Sequence, residues 1–456
     1  MHVTRFVRAS FLFAMLVACG SATDALTPDA RASTDGAAET ATLATLGVRA
    51  VDPDPQVATE AIDALRAAGP DGLAALLTAQ AVDVALLREA PLDASPDRID
   101  GLRSDPALQR LRDAIDRVAA QRDAFASGLY WYTDLSAAQA EATRTGRPIL
   151  SLRLLGRLDE EASCANSRFF RWLLYPNPTV REALRGYVLH WSSERPAPHI
   201  TIDMGDGRTI ERTITGNSIH YVLDASGRVI DAIAGLHDAQ DFAARITQAQ
   251  GVATRCGVRY ADRACLAREH TTMLDGTRVE WALLGDAVPS WDALVAADAP
   301  VIDAPSAALA MPLTMGKSII EMPMLRMIEP TPVVTAASPI DWSAVVSRVR
   351  WRDCDTLLGE PSRSLAHLKT GRVDDEALGA ATCERLVGDT VRNRFTLDRR
   401  LHAWLADATV ANDFTTLNAR VYAELFLTPA SDPWLGLRGE SDWDVLEVEG
   451  RVGGRN

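Results

Sequence analysis

P-I-L-S-L-R-L-L, Pro148 to Leu155, leads into S-C-A-N-S-R-F-F-R, Ser163 to Arg171, and the reading of this junction decides the fold. The first segment is a short apolar run bounded by turn residues, which predicts a buried strand. The second starts a helix, Cys164 to Tyr175, with a cysteine at its first turn and Ser163 as its expected N-cap. Working backwards, Leu135 to Arg144 reads as a helix ending before Gly146, and Leu129 to Tyr132 as a short aromatic strand. Working forwards, Thr179 to Leu184 is a helix and Tyr187 to Trp191 a strand. T-I-D-M-G-D-G-R-T-I-E-R-T then reads as two strands joined at Gly205, Asp206 and Gly207; it lacks the closing glutamate of a calcium loop. Ile219 to Leu223 and Arg228 to Ile233 form a further hairpin, and Asp238 to Ile246 closes with a helix. The order is β-α-β-α-β, then β-β-α.

These residues resemble the thioredoxin-like superfamily. The matching features are the strand P-I-L-S-L-R-L-L, the cysteine opening the next helix, the strand Y-V-L-H-W, and the closing G-N-S-I-H-Y-V-L-D-A-S-G-R-V-I-D-A-I-A-G. W-x-x-D-L-x-x-A-x-x-x-A and G-x-P-I-L ahead of the turn are most similar to exported or lipid-anchored members. The resemblance puts Cys164 at the nucleophilic position, where unpaired backbone N–H groups and the helix dipole favour a thiolate. Ser167 takes the place of the second cysteine, giving Cys-x-x-Ser. Serine can hydrogen-bond a thiolate but cannot resolve a mixed disulfide, so this pair implies monothiol exchange or mixed-disulfide holding of a protein or small-thiol partner.

Two features depart from the family. Its usual cis-proline is replaced in the substrate-facing loop by Gly216, Asn217, Ser218 and Ile219, and a non-proline cis bond costs about 3 kcal/mol, so Asn217–Ser218 is expected to be trans. The acidic run Asp159, Glu160 and Glu161 raises a nearby thiol pKa rather than lowering it. The bland alternative for Cys164 is a small buried residue in the helix cap. A metal site joining Cys164 to His190, His199 or His220 is a third option without ligand spacing of its own, so no metal and no cofactor is expected.

The chain begins with Arg5 and Arg8 ahead of an apolar run from Ala9 to Ala18, too short to span a bilayer and therefore an export signal. Leu16-Val17-Ala18-Cys19-Gly20 resembles the lipobox of bacterial lipoproteins, which implies a lipidated Cys19 and a location in the cell envelope, facing periplasm or exterior. Ser21 to Ala41 is Ala-, Thr-, Ser- and Asp-rich and reads as a tether. The net charge of -14, made more negative by loss of the two signal arginines, argues against nucleic acid or an anionic lipid surface as partner. An oxidising compartment permits disulfides. The simplest pairing by proximity joins Cys256 to Cys265 and Cys354 to Cys383, and leaves Cys164 over; other connectivities stay open.

Thr42 to about Gln121 shows helical apolar spacing, including A-I-D-A-L-R-A-A-G-P-D-G-L-A-A-L-L, which weakly resembles one HEAT-like pair. Ala297 to Pro312 and Glu329 to Pro339 are Pro- and Ala-rich. Trp342 to Leu358, Asp375 to Leu386, Asp389 to Leu405 and Thr415 to Leu427 read as helices, with Val391, Phe395, Leu401 and Trp404 as core positions and His402 as a structural residue. The expected chain is α+β and multidomain: signal peptide 1–18, tether 19–41, helical module 42–125, thioredoxin-like α/β domain 126–250, connector region 251–340 and a mainly helical C-terminal domain 341–456. Its function is either monothiol chemistry through Cys164 and Ser167 or a non-catalytic scaffold on a degenerate thioredoxin fold.

Overall fold

The computed structural model describes residues 40, 42–89, 94–213, 216–285, 288–297, 340–349, 360–370 and 386–431. The signal segment, Cys19, the tether, the Pro-rich connectors, Cys354 and Cys383 lie outside the described residues.

The N-terminal part contains α1 (Pro55–Ala67), α2 (Pro70–Ala79), α3 (Ala81–Arg88), α4 (Pro96–Ser104) and α5 (Pro106–Ala119), and all but α3 begin with proline. Asp54, Ser95 and Asp105 each accept a hydrogen bond from a first-turn amide, with proline at the first helical position where no N–H is missed. Between α1 and α2 the backbone turns at Gly69, with φ of 70°. The two helices approach so closely that a Cβ on Gly72 would lie 2.0 Å from the Leu65 carbonyl oxygen. Leu65, Leu76, Ile99, Leu111 and Ile115 form the apolar core of this part.

The central sheet has the order β2-β1-β5-β6, with β1 (Ile149–Leu155) parallel to β2 (Val188–Arg195) and antiparallel to β5 (Ser218–Leu223). β6 (Val229–Ala234) runs antiparallel to β5. α6 (Leu135–Thr145) precedes β1, and α7 (Ala165–Phe169), a π-helical turn Phe170–Leu174 and α8 (Pro178–Leu184) separate β1 from β2. β3 (His199–Asp203) and β4 (Thr209–Thr213) form a separate hairpin, as the glycines of its turn predict. β5 and β6 are buried at every position, which explains their nearly continuous apolar sequence.

The expected strand Leu129–Tyr132 shrinks to a single bridge from Tyr132 to His190. Trp131 gives its amide instead to the Ala119 carbonyl at 2.9 Å, while Tyr132 donates to Leu189 O at 2.8 Å on the outer side of β2. At the opposite edge, Val229 donates to Asn412 O at 2.9 Å, and Arg228 and Asp413 form an antiparallel bridge.

The closing helix α9 (Ala239–Cys256) runs beyond the expected Ile246. The region read as a connector carries the longest helix of those described, α10 (Arg263–Leu283), stapled to the end of α9 by a Cys256–Cys265 disulfide. α11 (Trp291–Ala296) and α12 (Trp342–Arg348) follow, the latter shorter than expected. α13 (Glu360–Thr370) delivers Leu365 and Leu368 to the N-terminal core. A π-helical turn Arg394–Asp398, α14 (Arg399–Ala406), α15 (Phe414–Arg420) and a second such turn, Val421–Leu425, complete the described chain.

Among the described residues, these helices divide between separate apolar clusters. Leu397, Leu401, Leu417, Val421 and Phe426 are part of the same core as the sheet, and Val391 and Phe395 pack with Trp281 of α10. Segments this short bury too little apolar surface by themselves, so they seek faces already built. The chain is thus mixed α/β around one four-stranded sheet. Among the described residues no single helix is long and apolar enough to cross a membrane.

Candidate functional site

Cys164 is the N-cap residue of α7, one position later than the cap expected at Ser163. Its side chain is a thiol, 0% exposed, and belongs to the central apolar core. Ser163, Asn166 and Ser167 are equally buried. Ser163 donates its hydroxyl to Ser167 Oγ, the serine expected to assist the thiol, at 2.8 Å. The Ser163 carbonyl accepts from Arg168 at 2.8 Å and from the Thr213 hydroxyl at 3.1 Å, tying the helix start to β4.

The loop expected to face a substrate lies directly on this helix start. Asn166 Nδ2 donates to Ser218 Oγ at 2.7 Å. A Cβ on Gly216 would stand 2.8 Å from Asn166 Oδ1, so glycine is what lets the loop close down. Asn217 is also buried: its Nδ2 donates to Thr428 Oγ1 at 3.0 Å, and the Tyr422 hydroxyl donates to its carbonyl at 3.3 Å. Burial pushes the Tyr422 phenol well above its ordinary value, with Glu194 and Cys164 adding to the shift. All described peptide bonds are trans, Asn217–Ser218 included. The C-terminal segment therefore covers the face that a disulfide substrate would need.

The acidic run before the cysteine is neutralised by partners. Arg157 pairs with Asp159 at 2.7 Å and with Glu160 at 3.3 Å. Glu161 pairs with Lys369 of α13 at 2.6 Å and with Arg122 at 3.0 Å. Burial weighs against the Glu161 carboxylate, but Lys369, Arg171 and Arg122 outweigh it and hold the group down to about 2. Beneath them the fully buried Arg171 binds Asp123 at 2.8 Å, the Glu161 carbonyl at 3.2 Å and Ser163 Oγ at 3.3 Å. Lys369 reaches the same Asp123 at 2.9 Å. This network joins the segment after α5, the cysteine turn and α13, and its charges are spent on position rather than on polarising the thiol.

The histidines expected as alternative ligands are separated. On β1, Ser151 faces His190 across the parallel ladder and the next residue, Leu152, faces His220, so the two rings project to opposite faces of the sheet. His220 shares a 2.8 Å hydrogen bond with the Tyr175 hydroxyl among Phe170 and Phe242, and burial lowers its pKa to about 3. His199 is on the outlying hairpin, 3.0 Å from Glu211. Cys164 does not occur in the metal-competent groups found among the described residues.

On the far face, His190 opens into a cleft of about 400 Å³ lined by Asp134, Arg153, Ser192, Phe414 and Asn418. His190 Nδ1 is 2.8 Å from Ser151 Oγ, and burial, then Arg153, lowers its pKa to about 4. Arg153 is held by Glu194 at 2.6 Å, and Glu194 by Asn418 Nδ2 at 2.9 Å. Sequence reading missed a third feature, the convergence of Asp231, His270 and His402. Its available signal was an aspartate inside the apolar strand V-I-D-A-I-A, a charge that needs a buried partner. In comparisons with protein-family models, curated proteins and solved structures, the chain matches none.

Proposed function

We propose that this chain is an exported, lipid-anchored protein whose thioredoxin-like core acts as a non-catalytic platform for a protein partner. Export and anchoring rest on the sequence of residues 1–18 and on Cys19. The thioredoxin-like assignment draws support from the sheet order β2-β1-β5-β6, its strand directions, and the cysteine capping the helix after β1. The observation that carries the functional reading is the burial of Cys164 beneath a loop pinned by Thr428 and Tyr422. Thiol-disulfide exchange needs in-line access of a second sulfur to the thiolate, and a core thiol lacks it.

The test is alkylation of Cys164 in native and unfolded protein, read by mass spectrometry of its peptide. Modification only after unfolding supports the platform reading. Rapid native modification, together with mixed disulfides lost in Cys164→Ser, supports monothiol chemistry and overturns it. Anchoring is tested separately by incorporation of a labelled fatty acid, which Cys19→Ser should abolish.

A further inference from the structure

We infer that Asp231, His270 and His402 form a buried site for one transition-metal dication, zinc by ligand type, that clamps α10 and α14 onto β6. The three residues come from three elements, and their donor atoms all lie within 4.8 Å of one another. His270 Nδ1 is 3.0 Å from His402 Nδ1, and His402 Nδ1 is 3.7 Å from Asp231 Oδ1. Zinc bonds of about 2.0–2.1 Å in a tetrahedral arrangement separate neighbouring donors by roughly 3.3 Å, between the two observed spacings.

Proton placement favours the same reading. His270 Nε2 lies 2.8 Å from the Ile230 carbonyl, an acceptor only, so that nitrogen carries the hydrogen and Nδ1 presents its lone pair to the cluster. Such an outer hydrogen bond to a backbone carbonyl is how metal-bound imidazoles are oriented.

The neighbouring ion pairs leave Asp231 to the histidines. Asp231, Asp241 and Asp398 face one guanidinium, Arg245, which binds Asp241 at 2.6 Å and Asp398 at 3.0 Å. His237 likewise lies 2.9 Å from Asp241, so the nearby cations are held by Asp241 and Asp398 rather than by Asp231. His402 also sits just beyond the π-helical turn Arg394–Asp398, a local widening of the helix of the kind that re-aims functional side chains.

The competing arrangement is a metal-free hydrogen bond between the two rings. The two are separated by stripping the full chain with a chelator and titrating zinc, then cobalt(II), against it at micromolar concentration. Expected are one equivalent of metal per chain, visible cobalt absorption, and a rise in Tm. Asp231→Asn, His270→Asn and His402→Asn should each abolish the cobalt spectrum, whereas Cys256→Ser with Cys265→Ser should keep it. Absence of stoichiometric binding by the wild-type chain overturns the site whatever the variants do. So does binding that survives in folded His270→Asn and His402→Asn proteins.

Discussion

Arg171→Met tests whether the ion network is what keeps Cys164 shut away. The substitution keeps most of the apolar stem but removes the guanidinium that binds Asp123, the Glu161 carbonyl and Ser163 Oγ. Breaking a buried ion pair from one side costs about 3–5 kcal/mol, because the abandoned charge stays desolvated. Lys369 remains on Asp123 and on Glu161, so the lower figure, about 3 kcal/mol, applies here. If alkylation proceeds through rapid local opening of the cysteine turn, its rate follows the open population. A cost of about 3 kcal/mol then speeds native modification by about two orders of magnitude. The assay is the time course of alkylation of the Cys164 peptide at several low urea concentrations, where weak urea dependence identifies local rather than global opening. Asp123→Asn added to Arg171→Met should restore part of the protection, since the stranded carboxylate is gone. Equal rates in wild type and Arg171→Met would refute the reasoning, as would a wild-type thiol that reacts at the rate of a model thiol.

Gly72→Ala places a methyl 2.0 Å from the Leu65 carbonyl, and should cost about 3 kcal/mol or more by chemical unfolding, against the gain usual for Gly→Ala in a helix. Reducing Cys256–Cys265, whose sequence separation is 9, should lower stability by about 2.5 kcal/mol and increase hydrogen exchange at the start of α10. His220 and His190 titrate at about 3 and about 4 in the folded chain against an ordinary 6.5. The unfolded chain therefore binds more protons between pH 6.5 and these values. Stability should be full above that window and fall with acid by about 1.4 kcal/mol per pH unit for each histidine. His220→Gln should remove its own share, about 1.4 kcal/mol per pH unit, from the slope near pH 5, and an unchanged slope would show that the ring is not buried neutral.

Local features were legible wherever a few neighbouring residues decide the outcome. The Gly205 and Gly207 turn, the strand before Cys164 and the apolar face of Val391, Phe395 and Leu401 follow from steric and hydrophobic rules acting over one or two turns. The state of Cys164 was not legible, because it depends on Thr428, 211 positions beyond Asn217, and on Tyr422. The separation of His190 and His220 follows from strand register, which alternates faces residue by residue and cannot be read from either histidine alone. The partition of the C-terminal helices was likewise hidden. An amphipathic helix advertises that it needs a partner but not which one, and α13 packs Leu365 and Leu368 into the N-terminal core. His270 and His402 lie 132 residues apart and carry no spacing signal.

The bridges at the two outer strands bear on how the protein meets other chains. Tyr132 occupies hydrogen-bonding groups midway along the free side of β2, and Asn412 with Asp413 does so at the start of β6. A free strand edge is a template onto which a foreign strand can add, in recognition or in aggregation. With short segments of its own chain seated at both edges, the sheet offers no uninterrupted template. Strand addition to this sheet would first have to displace native backbone pairs, which lends it resistance to edge-to-edge association.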